Sequence, residues 1–281
     1  MFESCIFDLY GTLVDIHTDE ERPEIWKKLA LFYGYYGADY TPEELKEAYG
    51  RMVRQLTREL EEKQRTEKAS QSVASGAGGA GSGGGECQAG LLLNAMPSQA
   101  YESSPEIQLE EVFLRLYRQK GVEADRTLAV HSGQFFRSMS TDYLRLYDGV
   151  EQMLKTLRDA GKKLYLLSNA QSIFTAHELK ALRLEAWFDG IFLSSDHGCK
   201  KPDPRFYEKL LQTFAIDQSR AVMIGNDGTC DILGAKQAGL AAVYLHTNLS
   251  PSETVTKADA VIEGADMKAL TDFLLRREQI Q

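Results

Sequence analysis

Short apolar runs alternate with amphipathic stripes along most of this chain. Ser4 to Phe7 is the first run, and Asp8 closes it. Lys163 to Leu167 is a second, ending in Ser168-Asn169. Ile191 to Leu193, Ala221 to Ile224 and Ala241 to Leu245 follow, with a weaker run from Ala258 to Ile262. Continuous apolar runs of this length read as strands buried on both faces. Helical patterns separate them, such as Val150 to Ala160 with Gly161 as its stop. Strand and helix in alternation predict an α/β fold with a doubly wound parallel sheet, Rossmann-like in plan. Ligands of such sheets bind beyond the carboxyl ends of the strands.

Between the first run and the second the spacing is helical. Pro23 opens a stripe of Ile25, Leu29, Phe32, Tyr33 and Tyr36. Thr41-Pro42-Glu43-Glu44 is a capping box, and Leu45, Ala48, Met52, Leu56 and Leu60 follow at helical spacing. Ser104-Pro105 opens a third helix carrying Leu109, Val112, Phe113, Leu116 and Tyr117. A fourth helical pattern runs from about Leu128 to Leu146. The predicted organisation is a core of residues 1–15 and 147–281, with an inserted α-helical cap at 16–146.

One stretch breaks the pattern. Residues 69–104 are rich in Gly, Ala, Ser and Gln, and Gly76 to Gly90 holds eight of the 23 glycines. So little apolar surface cannot offset the entropy of ordering, so the stretch reads as a flexible insertion in the cap. The run Leu91-Leu92-Leu93 inside it suggests loose packing only. Elsewhere, 43% hydrophobic and 26% charged residues over 281 positions is an ordinary globular balance with length enough for a large core. A net charge of −9 argues against nucleic acid or an anionic membrane as partner. No apolar run approaches the length of a membrane span. Met1 to Cys5 has neither a basic region nor a signal-type stretch, so a cytoplasmic setting is expected. Cys5, Cys87, Cys199 and Cys230 show no metal-ligand spacing and read as reduced thiols.

The chemistry gathers at the predicted strand ends. Asp8 sits at a strand tip, three residues before Gly11, and is a plausible nucleophile; alone, such an Asp reads equally as a turn cap. Its company changes the reading. Asp8 and Thr12 match Asp-x-x-x-Thr, Ser168 follows the next strand, Lys201 opens Lys-Pro-Asp-Pro, and Asp227 and Asp231 form an acidic pair after a further strand. In this order the four motifs resemble the haloacid dehalogenase-like superfamily of hydrolases. The resemblance covers about residues 1–15 and 147–270, and that family places its cap where the helical block lies.

The resemblance implies a division of labour. Asp8 would be the nucleophile, Ser168 a hydrogen-bond donor to the substrate, and Lys201 a stabiliser of transition-state charge. Thr12, Tyr10 and Asn169 would contact substrate. Mg²⁺ would be held by Asp8, the backbone carbonyl of Tyr10, and the pair Asp227 and Asp231, with Asp227 direct and Asp231 direct or through water. Asp203 before Pro204 reads as a helix N-cap.

Two departures shape the functional expectation. Asn226 stands where many relatives carry the first Asp of the pair. Tyr10 stands where phosphatases of the superfamily carry the acid/base Asp, and a phenol with a pKa of about 10 is a poor base at neutral pH. Haloacid dehalogenases of the superfamily do carry Tyr there, with a Ser-Asn and a Tyr matched here by Ser168-Asn169 and Tyr207. Against that stands the retained acidic pair, which would be costly to bury without a cation. The expectation is a Mg²⁺-dependent phosphohydrolase acting on a small phosphorylated molecule through an aspartyl-phosphate. The alternatives are a metal-free 2-haloacid dehalogenase with an ester on Asp8, and a non-catalytic binding protein. In the cap, Arg51, Arg54 and Arg58 read as a solvated mixed-charge face, and Arg137 among apolar neighbours as a residue turned toward an anionic substrate.

Overall fold

The computed structural model describes residues 2–76, 105–252 and 257–276. Among these, six strands form one parallel sheet: β1 (Ser4–Phe7), β4 (Lys163–Ser168), β5 (Gly190–Leu193), β6 (Ala221–Gly225), β7 (Ala241–Leu245) and β8 (Ala260–Ile262). Their order is β5-β4-β1-β6-β7-β8, so β1 lies between β4 and β6 at the centre. The chain turns back across β1 to reach both halves of the sheet, which puts the switch point of the topology at the tip of that strand.

The apolar runs are continuous because both faces are buried, and the pleat sorts them. Cys5 and Phe7, Leu164 and Leu166, Val222 and Ile224, and Val243 and Leu245 face one core, shared with helices α5 (Val150–Asp159) and α10 (Met267–Leu275). Ile6, Tyr165, Leu167, Met223 and Tyr244 face the other, shared with α8 (Pro204–Thr213) and α9 (Gly234–Gln237). The doubly wound expectation holds. Two further helices, α6 (Ser172–Ala181) and the short α7 (Ser194–His197), follow β4 and β5.

A separate apolar cluster joins α1 (Pro23–Gly34), α2 (Pro42–Gly76), α3 (Leu109–Gln119) and α4 (Arg126–Ser140). Stacked and tilted rings fill it: Tyr33 lies 4.2 Å from Tyr117, and Trp26 lies 5.4 Å from Phe136. Ile173 and Phe174 of α6 belong to the same cluster. The helical layer is thereby plugged into the sheet layer.

Several boundaries differ from expectation. The pattern from Leu128 to Leu146 is not one helix. It breaks at Ser140, and β3 (Thr141–Leu146) pairs antiparallel with β2 (Val14–Thr18). Leu144 and Leu146 repeat at two, not at three or four, and with Ile16 they pack on the sheet core. Asp15 and Arg145 are opposite one another in this ribbon, and two guanidinium nitrogens reach Asp15 Oδ2 at 2.9 and 2.7 Å. The expected domain limit at 15 falls inside β2, and the limit at 147 follows the end of β3. The third helix starts at Leu109 rather than after Pro105, because Pro105 bridges to Cys199 instead. The first helix ends at Gly34, leaving Tyr36 beyond it. Of the Gly-rich stretch, the residues up to Gly76 continue α2, while 77–104, with Cys87 and Leu91 to Leu93, lie outside the described residues. Among the described residues no helix is long and apolar enough to cross a membrane.

Phe174 is 7% exposed and holds α6 to the helical layer. Phe174→Ala should lower stability by about 3 kcal/mol, read as a drop in the urea midpoint. An unchanged midpoint would mean the two layers do not depend on this contact.

Candidate active site

Asp8 is the first residue past β1, at the carboxyl edge of the sheet. Its N–H donates to Ile224 O at 2.9 Å, so β6 fixes the backbone there. The chain then curls around one atom: the N–H groups of Thr12, Leu13 and Val14 all point at Leu9 O. Gly11 permits the curl at φ 83°, and a Cβ on it would stand 2.4 Å from Asn226 Nδ2. Asn226 therefore lies directly against the turn that follows the nucleophile.

Three side chains hold the Asp8 carboxylate. Lys201 Nζ donates to Oδ1 at 2.6 Å, and Ser168 Oγ donates to the same oxygen at 3.2 Å. Thr12 Oγ1 is 3.2 Å from Asp8 Oδ2 and 3.2 Å from Asn226 Oδ1. The remaining protons of Lys201 go to Asp231 Oδ1 at 2.7 Å and Leu167 O at 2.9 Å. The lysine is 2% exposed, and all three of its donors are used. Burial alone would lower its pKa; the carboxylates of Asp231 and Asp8 outweigh this and hold it above the ordinary lysine range. For Asp231, burial drives the carboxyl upward, Lys201 pulls it back, and the Asp8 charge adds to the rise.

The acidic pair is split in role. Asp231 is 1% exposed, and its second oxygen accepts from Asp227 N at 3.0 Å. It lies so close to the end of β6 that a Cβ on Gly225 would come within 2.2 Å of it. Asp227 is only half-buried, and its Oδ1 caps the helical turn Gly228–Leu233 through Thr229 N and Cys230 N. Asp8, Tyr10, Ser168, Lys201, Asn226 and Asp227 border a cavity of about 220 Å³.

Beside it Tyr10 reaches away from Asp8. Its hydroxyl donates to Glu178 Oε2 and accepts from Thr175 Oγ1 at 2.9 Å, both on α6. Arg137 of α4 completes the group, with Nε 2.7 Å from Glu178 Oε1 and its guanidinium 5.7 Å from the Tyr10 ring centre. Burial, and then the Glu178 charge, push the Tyr10 hydroxyl above the ordinary phenol range. It stays protonated at any physiological pH and serves as a donor to Glu178.

A nucleophile-grade carboxylate at the switch point, a buried lysine and a hydroxyl on it, and an acidic loop opposite are now in view. The family model for haloacid dehalogenase-like hydrolases matches residues 2–239. The chain belongs to the haloacid dehalogenase-like hydrolases. It is 30% identical over 128 residues to a glyceraldehyde 3-phosphate phosphatase of Pyrococcus abyssi, covering 46% of this chain and 51% of that one. It is 29% identical over 150 residues to a phosphoserine phosphatase of Thermus thermophilus, covering 53% and 59%. The chain spans about half the length of the curated relatives it matches. Among solved structures, a 2-haloacid dehalogenase of Pseudomonas syringae superposes with a TM-score of 0.58 at 18% identity, over 96% of this chain and 98% of that one. A phosphatase of Thermococcus onnurineus superposes with a TM-score of 0.53 at 17% identity, over 97% and 98%. At these identities the likeness is one of fold.

Within this haloacid dehalogenase-like site, Asp8, Ser168, Lys201, Asp227 and Asp231 come together from separate strand ends. Three expected substrate contacts are otherwise engaged. Asn169 spends both ends of its amide on the Lys201 backbone, at 2.8 and 2.9 Å, and so positions the lysine. Thr12 is fully buried with its hydroxyl between Asp8 and Asn226. The Tyr10 hydroxyl is taken by Glu178, although its ring still borders the cavity. Arg137 faces Glu178 rather than standing free for an anion. Arg51, Arg54 and Arg58 are exposed, as a solvated face requires. Tyr207 is buried, and its hydroxyl braces the Cys230 carbonyl. Asp203 caps α8, as expected.

The cation expectation changes footing. Burial of the acidic pair does not demand a metal, because only Asp231 is deeply buried and Lys201 already neutralises it. Among the described residues no group of three or more acidic, His or Cys side chains converges as a metal cage. What remains is charge and donor type. Asp8, Asp227 and Asp231 border the cavity with Lys201, which pairs with Asp8 and Asp231, as the one ammonium in its lining, and this leaves surplus negative charge there. Oxygen donors with surplus charge suit a hard cation such as Mg²⁺. Asp8, Asp227 and Asn226 offer side-chain oxygens to it.

The reading of the sequence marked Asn226 only as a departure from the acidic pair, and overlooked Thr175 and Glu178. Thr175 and Glu178 are three apart on one helix and so share a face, but nothing local names Tyr10 as their partner.

Lys201→Met would leave Asp8 and Asp231 buried against each other without a counter-charge. The expected loss is about 3–5 kcal/mol in urea unfolding. Adding Asp231→Leu should recover part of it. Stability equal to wild type in Lys201→Met would show that the ammonium is not what lets the two acids approach.

Proposed function

We propose that the protein is a Mg²⁺-dependent phosphohydrolase that acts on a small phosphorylated molecule through an aspartyl-phosphate on Asp8. The carrying observation is the Asp8 carboxylate held at the tip of the central strand, with Lys201 and Ser168 on Oδ1 and only Thr12 on Oδ2. Oδ2 has lone pairs to spare for phosphorus. The phosphatases among the relatives support the same chemistry. In this reading residues 1–15 and 147–281 are the catalytic core, and 16–146 form a cap that bounds the substrate.

Attack of Oδ2 forms a bond to phosphorus and breaks the bond to the leaving oxygen, which departs with the electron pair. Water then takes the phosphoryl group from Asp8. Lys201 and Ser168, fixed against the nucleophile, orient it and offset charge gathering on the phosphoryl group. Asn169 keeps Lys201 in place through its backbone. Mg²⁺, held by Asp8, Asp227 and the Tyr10 carbonyl with Asn226 in reach, would neutralise the repulsion between carboxylate and phosphate. Asp231 serves the lysine.

No carboxylate stands at position 10 to protonate the leaving group, and the Tyr10 hydroxyl is committed to Glu178. That same arrangement favours a second reading, a metal-free 2-haloacid dehalogenase, since a halide leaves without a proton.

One assay panel decides between them. Phosphate release should require Mg²⁺, stop on chelation with EDTA, and vanish in Asp8→Asn. Halide release from 2-haloacids without divalent cation would replace this reading with the second. Rates across phosphate esters should fall steeply with leaving-group pKa, because missing general acid catalysis typically costs about 10²–10⁴-fold. A flat series would mean that another group delivers the proton.

A further inference from the structure

Tyr10 lines more than the cavity at Asp8. A second hollow of about 350 Å³ lies on the far side, between the sheet layer and the helical layer. Tyr10 and Asn169 border both spaces. The two spaces are therefore neighbours across the Tyr10 and Asn169 side chains. Ile16, Leu109 and Phe174 give that hollow apolar walls.

Its charged groups do not balance. Arg137 faces the hollow but is anchored to Glu178 by two hydrogen bonds, at 2.7 and 3.3 Å. Glu106 accepts from Gln171 at 2.7 Å and pairs with Lys200 at 3.2 Å. Glu20 also borders the hollow, and among the described residues its carboxylate has no hydrogen-bond partner. With Arg137 paired to Glu178 and Glu106 to Lys200, Glu20 is the lining carboxylate that has no ion pair among the described residues. The residue is held there by its backbone, since Trp26 Nε1 donates to Glu20 O at 2.8 Å. Burial pushes the Glu20 carboxyl up and Arg137 only partly opposes this, as expected for an acid short of a partner.

We propose that Glu20 is a specificity-determining residue that selects phosphate esters whose leaving group carries an ammonium, seated in the hollow beyond Tyr10. The inference rests on the phosphohydrolase reading of the Asp8 site. A ligand ammonium would supply the charge-assisted hydrogen bond that Glu20 lacks, while the apolar walls take the carbon skeleton.

Three aryl phosphates with closely matched leaving groups test this: 4-(2-aminoethyl)phenyl, 4-ethylphenyl and 4-(2-carboxyethyl)phenyl phosphate. In the wild type kcat/KM should favour the ammonium ester over the ethyl ester by about tenfold or more, the range of one charge-assisted hydrogen bond. Glu20→Gln should bring that ratio close to one. A wild-type ratio near one, a ratio unchanged in Glu20→Gln, or a preference for the carboxylate ester would overturn the proposal. If no ester releases phosphate, the phosphohydrolase reading fails on its own account. Calorimetry with 4-(2-aminoethyl)phenol then decides the subsite. Binding about tenfold tighter to wild type than to Glu20→Gln supports it, and equal binding refutes it.

Discussion

The site is organised around one buried ammonium. Lys201 Nζ touches Asp8, Asp231 and the Leu167 carbonyl, and its charge offsets the cost of bringing two carboxylates from different strands so close out of water. Its consequences run outward through the fold. Asn169 grips its backbone, so the loop after β4 is tied to the segment after β5 that carries Lys201. Asp231 in turn accepts from Asp227 N, which sets the turn that carries the exposed acid of the pair. Lys201 is thus at once an electrostatic and an architectural residue, and its worth cannot be divided between the two roles.

A second, looser network joins the layers. Tyr10 comes from the loop after β1, Glu178 and Thr175 from α6, and Arg137 from α4. Phe174, one residue before Thr175, carries the apolar half of the same junction. The ribbon of β2 and β3 makes the covalent crossing between layers, and the Asp15–Arg145 pair ties its strands. The polar junction explains why a tyrosine suits position 10 here. A carboxylate in its place would face Glu178 across a poorly hydrated gap, and like charges there are costly.

These two networks divide the substrate space. The Lys201 cluster shapes a small polar cavity suited to a phosphoryl group, and the Tyr10 junction forms its wall. Beyond that wall lies the larger hollow bordered by β2, α3, α4 and α6, with apolar sides and the charge of Glu20. In the proposed function, chemistry and selectivity would rest on different residues of two neighbouring spaces.

By itself the sequence determined the strands of the sheet and where its polar residues gather. Apolar runs of this length read as parallel strands covered on both faces, and Asp8, Ser168, Lys201 and Asp227 follow their carboxyl ends, where such a sheet exposes polar groups. What the sequence left open is pairing across distance. Asp231 and Asp227 look equivalent four residues apart, yet one is neutralised by a lysine from another loop and the other caps its own turn. Asn169 and Thr12 look like substrate contacts until their partners are known. Thr141 to Leu146 carries a two-residue repeat too short to overrule the helical stripe before it, and only its partner strand, Val14–Thr18, makes it β. Arg137 reads as a free cation until Glu178 is placed beside it. Each of these turns on at least one partner 30 or more positions away, where hydrophobic period and local motif carry no information and only the closed fold decides which groups meet.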